Sequence, residues 1–392
     1  MKTSPSVSKH VLVATPVLLL GGTEMQTLEM VRVLVKNGYD VTICCYYEYN
    51  NAVVDDFRFA GATVQLLKLD RLVTTKFVRQ FVQLFLALLK VIRSEIPDVV
   101  HVQYLAPGLI PIFAAKVAGV KKVFATVHYP RNRFGNREKL FVRLAAKLCT
   151  MFFCNSVATE ESWFGTGTVY GDSTFNSGSR HCTLYNSIDI QHIEECIGVV
   201  ARTTIKKELG ITRRPVVGVV ARLRSEKGHS FLLHAMKRVA QTMPRTVLLI
   251  IGDGPDKSEL QALAENLLLV DNVRWLGSKP HEEILALYGI MDIVAVPSEY
   301  EGFGLSAAEA MAAGVPVVAS DVGGLREVVD AGTTGLLVPY GAADEMSEAL
   351  LSLLRDPASA RRMGKLGREK IERQFSLPKY SSLLIAAYNQ YL

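Results

Sequence analysis

With 392 residues, 49% of them apolar and 21% charged, the chain has too much to bury to be disordered and more length than one core usually organises, so two domains of roughly 150 to 200 residues are expected. A formal charge of +6 is modest for that length, which argues against a dedicated nucleic-acid binder while permitting attraction to anionic surfaces. No stretch reaches the ~20 apolar residues of a spanning helix, since even the run from Phe81 to Leu89 is closed by Lys90.

Apolar runs alternate with helix-length segments from the start, the pattern of a doubly wound α/β domain. Strands are expected at 10–15, 41–46, 63–69, 99–103, 122–128, 151–155 and 181–185, with helices at 23–36 and near 76–94, 108–118 and 136–149. The apolar run after Lys9 superficially resembles a signal peptide, but Pro16 interrupts it and Gly21-Gly22-Thr23-Glu24 opens a helix, so a first strand is the better reading. Cys44, Cys45, Cys149, Cys154, Cys182 and Cys196 show neither C-x-x-C nor zinc spacing. They read as small buried hydrophobes in a reducing, cytoplasmic setting.

In parallel sheets ligands bind beyond the carboxyl ends of the strands, which directs attention to the loops there. Gly21 and Gly22 form the first such loop, where a backbone without side chains lets a phosphate or sugar approach. His128 ends the strand that starts near Lys122, whereas His101 alternates with apolar neighbours and reads as core. The stretch from Arg131 to Leu148 is basic on one side through Arg131, Arg133, Arg137, Lys139, Arg143 and Lys147. Its other side is apolar through Phe134, Leu140, Phe141 and Leu144. Such a segment suits an anionic membrane surface, and it equally suits a helix packed on its own sheet with a solvated face.

The alternation resumes after a helical connection at 190–214, with strands at 216–220, 247–251, 273–276, 293–296, 315–319 and 336–338 and helices at 228–241 and 256–268. A final helix at about 378–391 closes the chain. The domains are therefore drawn as 1–190 with the returning segment 377–392, and 191–376. Arg222 to His229 is a basic loop opening a helix, where positive charge is unfavourable unless an anion joins it. Gly252-Asp253-Gly254-Pro255 reads as a structural turn, and Leu276-Gly277-Ser278-Lys279-Pro280 as a backbone cradle for a base. In Ser298 to Glu309, Pro297 and two glycines stop a strand and enter an Ala-rich helix, which puts Glu301 in the loop and Glu309 on the second helical turn. The free N–H groups near Leu305 suit a phosphate between the two carboxylates.

The two glutamates separated by seven residues, set in Glu-Gly-Phe-Gly-Leu, resemble the signature of retaining glycosyltransferases of family four, which have the GT-B fold of two facing Rossmann-like domains around a cleft. The resemblance spans nearly the whole chain and is most specific at 222–227 and 301–309. It implies that Glu301 contacts the donor sugar, Glu309 the ribose hydroxyls, and the Gly304 and Leu305 amides the diphosphate, with Phe303 in the same donor-binding stretch. It implies that Arg222 and Lys227 stabilise the leaving phosphate, that His128 meets the donor sugar near the reacting carbon, and that Gly21 and Gly22 line the cleft. Tyr185-Asn186-Ser187-Ile188-Asp189 is similar to the family's hinge but carries Ser187 in place of glycine, which puts the hinge backbone in question.

The expected function is a retaining, hexosyltransferase-type transfer from a nucleoside-diphosphate sugar to an acceptor hydroxyl, in surface polysaccharide or glycolipid assembly. The expected mechanism is front-side attack in which the leaving phosphate takes the acceptor's proton. No Asp-x-Asp, Walker or Gly-x-Ser-x-Gly motif occurs, so no metal and no cofactor are expected. The expected partners are the donor, a lipid-linked acceptor and the cytoplasmic face of a membrane. An epimerase or phosphorylase of the same fold and a non-catalytic nucleotide-sugar sensor remain as rivals.

Overall fold

The computed structural model describes residues 9–71, 77–103, 108–173, 175, 178–199 and 202–392. The chain divides into two compact units, Met1–Ser187 with Pro378–Leu392, and Ile188–Leu377.

The first unit holds strands β1 (His10–Thr15), β2 (Asp40–Cys45), β3 (Thr63–Leu66), β4 (Val99–Gln103), β5 (Lys122–Val127), β6 (Met151–Cys154) and β7 (His181–Thr183). They form one parallel sheet in the order β3-β2-β1-β4-β5-β6-β7. Its helices are α1 (Gly22–Lys36), α2 (Asn51–Phe59), α3 (Phe77–Glu95), α4 (Leu109–Val117), α5 (Asn136–Leu148) and α6 (Val157–Phe164). The central strands are continuous apolar runs because helices cover both faces of a parallel sheet, and Val11, Leu12, Val13, Val99 and Val100 have no exposure at all.

The second unit begins with α7 (Ile190–Val199) and α8 (Arg202–Glu208), followed by β8 (Val216–Val220), α9 (His229–Thr242), β9 (Val247–Ile251), α10 (Lys257–Asn266), β10 (Val273–Gly277) and α11 (His281–Tyr288). It continues through β11 (Ile293–Val296), α12 (Leu305–Ala312), β12 (Val317–Ser320), α13 (Leu325–Val328), β13 (Gly335–Val338), α14 (Ala343–Arg355) and α15 (Pro357–Gln374). Its parallel sheet runs β10-β9-β8-β11-β12-β13. The strand order therefore reverses between β1 and β4 in one unit and between β8 and β11 in the other, and such switch points are where doubly wound sheets take ligands.

The last helix, α16 (Leu377–Tyr391), returns to the first unit from Pro378 onward. Three tyrosine contacts hold it there: Tyr388 OH lies 2.7 Å from His101 Nδ1, Tyr39 OH donates to Asn389, and Tyr170 OH donates to Gln390. His101 is thus a core residue in mid-strand, as expected. At the point where the chain leaves the first unit, the Gln26 amide donates to Ser187 O and accepts from Ser187 N, both at 2.9 Å. That pair of bonds fixes the Ser187 backbone without glycine.

Several boundaries differ from the expected ones. The strand expected at 63–69 stops at Leu66, two residues before Lys68 with φ of 53°. The strand expected at 315–319 starts at Val317, after Pro316, whose nitrogen carries no proton for a ladder. The short helices α2, α6 and α11 were not foreseen, and neither were α14 and α15. In α2 and α6 the caps are polar side chains, Asn50 accepting from Ala52 N and Ser156 from Thr159 N.

Candidate functional site

Two loops of the second unit leave the switch point side by side, Ala221–Gly228 after β8 and Pro297–Gly304 after β11. They are sealed together by backbone. Glu299 N donates to Glu226 O at 2.9 Å, and a side chain on Gly228 would put its Cβ 1.9 Å from Pro297 O at a φ of +69°. Only glycine fits there. From beneath, Leu223 N donates to Asp253 O, and Gly252 and Gly254 would carry their Cβ atoms into Ala221 O and Leu223 O. The Gly252-Asp253-Gly254 turn is structural, as expected, and what it supports is the loop bearing Arg222.

This framework brings Lys227 and Glu301 together across 74 residues of sequence. Lys227 Nζ donates to Glu301 Oε1, and Ser298 Oγ donates to the same oxygen at 2.9 Å. The two charged side chains keep only 19% and 16% of their exposure. Both bonds go to Oε1. The Glu301 carbonyl accepts from Gly324 N at 3.1 Å, and Gly323 and Gly324 lie so close that a Cβ on either would strike the carbonyl of Glu301 or Gly302. The Gly323-Gly324 brace was missed from the sequence, although a double glycine after a strand end was the available signal.

Gly304 follows in the left-handed region at φ of +97° and opens α12 with no side-chain cap. The first amide bonded within the helix is Ala308 N to Gly304 O, so the N–H groups of Leu305, Ser306 and Ala307 point out of the helix start, as an anion site requires. Phe303 is turned the other way. Its ring is buried and meets Phe375 edge-on at 5.2 Å, so only its backbone is available to a ligand.

Glu309 stands on the second turn of α12 and is held at both oxygens, Oε1 by His281 Nε2 at 3.1 Å and Oε2 by Tyr288 OH at 3.0 Å. Burial pushes the Tyr288 phenol well above its ordinary range, with the Glu309 charge adding to the shift, so it stays a donor. Neither His281 nor Tyr288 was singled out in the sequence, because nothing local marks a residue on α11 as a partner of one on α12. Arg222 is exposed, and among the described residues its guanidinium makes no ion pair. Gly277 ends β10 at φ of +68° with open space at its Cβ position, and its carbonyl accepts from Gly252 N at 2.9 Å. His229 is buried at the start of α9, and burial, with the Lys227 charge adding to it, lowers its pKa to about 4.

In the first unit His128 lies one residue past β5 and is 7% exposed. Its Nε2 lies 2.9 Å from Gln103 Oε1, an acceptor, which puts the proton on Nε2. Burial lowers its pKa to about 3, so the ring is neutral at ordinary pH. His128 lines a small, mainly apolar pocket that Gln26, Gln103 and Asn186 share with Met30, Phe153 and Leu184. Gly21 precedes α1 with extended backbone that any residue adopts, and its Cβ position is approached by the Glu24 carboxylate; Gly22 is exposed. Among the described residues no three His, Cys, Asp or Glu side chains gather as a metal ion needs.

Two family models match the chain, the glycosyl transferases group 1 over residues 201–370 and the glycosyltransferase family 4 over residues 20–167. A 2-deoxystreptamine glucosyltransferase of Streptomyces kanamyceticus is 32% identical over 53% of this chain, a match that spans 54% of the relative's length. A GDP-mannose-dependent monoacylated alpha-(1-6)-phosphatidylinositol monomannoside mannosyltransferase of Corynebacterium glutamicum is 30% identical over 74% of this chain and 76% of its own. Among solved structures, Anabaena HepE in complex with UDP-glucose superposes with a TM-score of 0.81 at 19% identity, covering 97% of this chain and 99% of that one.

Proposed function

We propose, from the premise that this chain belongs to the family 4, group 1 glycosyl transferases, that it moves a sugar from a nucleoside diphosphate to an acceptor hydroxyl with retention and without a metal. The two parallel α/β units are those of the GT-B fold. The observation that carries the reading is the joined pair of strand-end loops at the β8/β11 switch point, which holds a lysine, a carboxylate and an uncapped helix start in one unit.

In this reading the second unit binds the donor. The Leu305 amide and its neighbours meet the diphosphate at the positive end of α12. Arg222 and Lys227 stabilise the charge that develops on the leaving phosphate as the glycosidic bond breaks, a preorganised electrostatic role that needs no cation. Glu309 accepts from the ribose hydroxyls, since each carboxylate oxygen retains a second acceptor position beside His281 or Tyr288. Glu301 accepts from a sugar hydroxyl through Oε2, and Gly277 offers backbone to the base. The acceptor attacks on the face the phosphate leaves, and that phosphate takes the acceptor's proton. In the first unit His128 offers a neutral hydrogen-bonding ring, and Gly21 and Gly22 a backbone approach.

The acceptor is proposed to belong to surface polysaccharide or glycolipid assembly, on the support of the phosphatidylinositol mannoside relative. Thermal denaturation with UDP, GDP and ADP and their hexose derivatives tests the donor half of this reading. One nucleotide class should raise the Tm by mass action and should fail to do so in Glu309→Ala. No shift with any of them would contradict it.

A further inference from the structure

Helices α3, α4 and α5 lie side by side on the first unit's sheet, α3 packed on α4 and α4 on α5. Their inner positions are filled by buried residues such as Leu84, Leu88, Ile112 and Val142. The outer positions are not those of a solvated layer. Val78, Val82 and Leu86 follow one another at four-residue spacing along α3, and all are exposed. Phe113 and Val117 do the same on α4, as do Leu140 and Leu144 on α5, with Phe141 beside them. The Phe85 and Phe113 rings, 5.7 Å apart, join the stripe of α3 to that of α4. Exposed apolar side chains scattered singly need no explanation, but eight on three adjacent helices form a patch.

The charge on the same helices is one-sided. They carry eight lysines and arginines against Glu95 and Glu138, a surplus equal to the formal +6 of the whole chain. Glu95 is already engaged by Gln65 and Thr42. The Lys139 ammonium is held below its usual pKa, first by Arg131, then by slight desolvation and by Arg143, so these cations press on one another. The side chains of Arg133 and Arg137 lie outside the described residues. Phe134, expected among the inserting residues, instead turns inward with its ring 5.4 Å from that of Trp163.

We propose that the outer face of the α3–α4–α5 layer is a docking surface for an anionic lipid bilayer, with the apolar stripes entering the acyl boundary and the cations meeting the headgroups. The charge selects this occupant over a second copy of the chain, because a copy would bring an equally cationic face against it. No helix among the described residues is long and apolar enough to cross a membrane, so the contact is peripheral. The proposal does not depend on the transferase reading, since binding is measured without donor.

The test is co-sedimentation of the full chain with vesicles of phosphatidylcholine alone and of phosphatidylcholine with one third phosphatidylglycerol, at low and high salt. Binding to the anionic vesicles at low salt, reduced by salt and weak on neutral lipid, is expected. Val82→Gln/Leu86→Gln should lower the bound fraction about tenfold without changing the Tm, and Lys139→Gln/Arg143→Gln should lower it on anionic lipid. Leu268→Gln, which removes an exposed leucine in the second unit, should leave it unchanged. Equal partition onto both lipids, no binding at low salt, indifference to the α3 substitutions, or a dimer in sedimentation that those substitutions dissolve would each overturn the proposal.

Discussion

Replacing Lys227 by methionine keeps the aliphatic stem and removes the ammonium that donates to Glu301 Oε1, leaving a carboxylate that is five-sixths withdrawn from water with Ser298 as its described partner. Breaking a fully buried ion pair costs about 3–5 kcal/mol, and an exposed one contributes about 0–1 kcal/mol. At 19% and 16% exposure the loss should fall between, at about 2 kcal/mol, which for a unit of this size lowers the Tm by roughly 4–8 °C. Turnover should fall further, because one preorganised group at a developing charge contributes about 3 kcal/mol, or roughly a hundredfold in kcat. Adding Glu301→Gln separates the two effects. The neutral carboxamide still accepts from Ser298, so most of the stability should return in the double variant while turnover stays low. Calorimetry and release of nucleoside diphosphate are the two assays. A double variant that regains kcat together with its Tm would show that Lys227 serves only to neutralise Glu301, and the leaving-group role would fall.

Glu309→Ala should act mainly on donor binding, with KM rising about tenfold or more and kcat changing less, as expected for a contact made equally in ground and transition states; a kcat loss at constant KM would reverse that assignment. Arg222→Ala, at an exposed position without an ion pair among the described residues, should leave the Tm within about 1 °C and lower kcat roughly a hundredfold. EDTA should leave turnover unchanged, and a loss restored by Mg²⁺ would contradict the metal-free mechanism. Burial holds His101 and His128 at about 3, below the ordinary histidine value of about 6.5, so the unfolded chain takes up protons that the folded chain refuses. Their contribution is complete above about pH 6.5 and declines as pH falls toward 3, so the Tm should drop with acid by several degrees. His101→Gln should flatten that decline, and an unchanged acid limb would count against it.

The strands were legible because parallel sheets covered on both faces need unbroken apolar runs, and 10–15, 216–220 and 247–251 are such runs. The helices α2, α6 and α11, of eight or nine residues, carry too few turns to show a period. The loop position of Glu301 and the helical position of Glu309 followed from Pro297 and the glycines around them. What the sequence could not supply was pairing. That Lys227 reaches Glu301, or that α11 holds Glu309 from its own two ends, depends on how strands 8 and 11 come to lie together. Nor does the motif say which part of Phe303 could face a ligand: its ring belongs to the core beside Phe375. Period alone does not say which side of a greasy helix faces the sheet, so the sequence leaves open where the apolar stripes of α3 and α4 point.

The loops at the β8/β11 switch point are proposed to turn over a nucleotide sugar with retention. That proposal is tested most directly by following donor cleavage by NMR, with the purified chain, EDTA and whichever nucleotide sugar raises the Tm. Slow release of nucleoside diphosphate, a first-formed sugar product with the anomeric configuration of the donor, and loss of both in Lys227→Met are expected. Inverted product, interconversion of the donor sugar, or binding with no cleavage would contradict it.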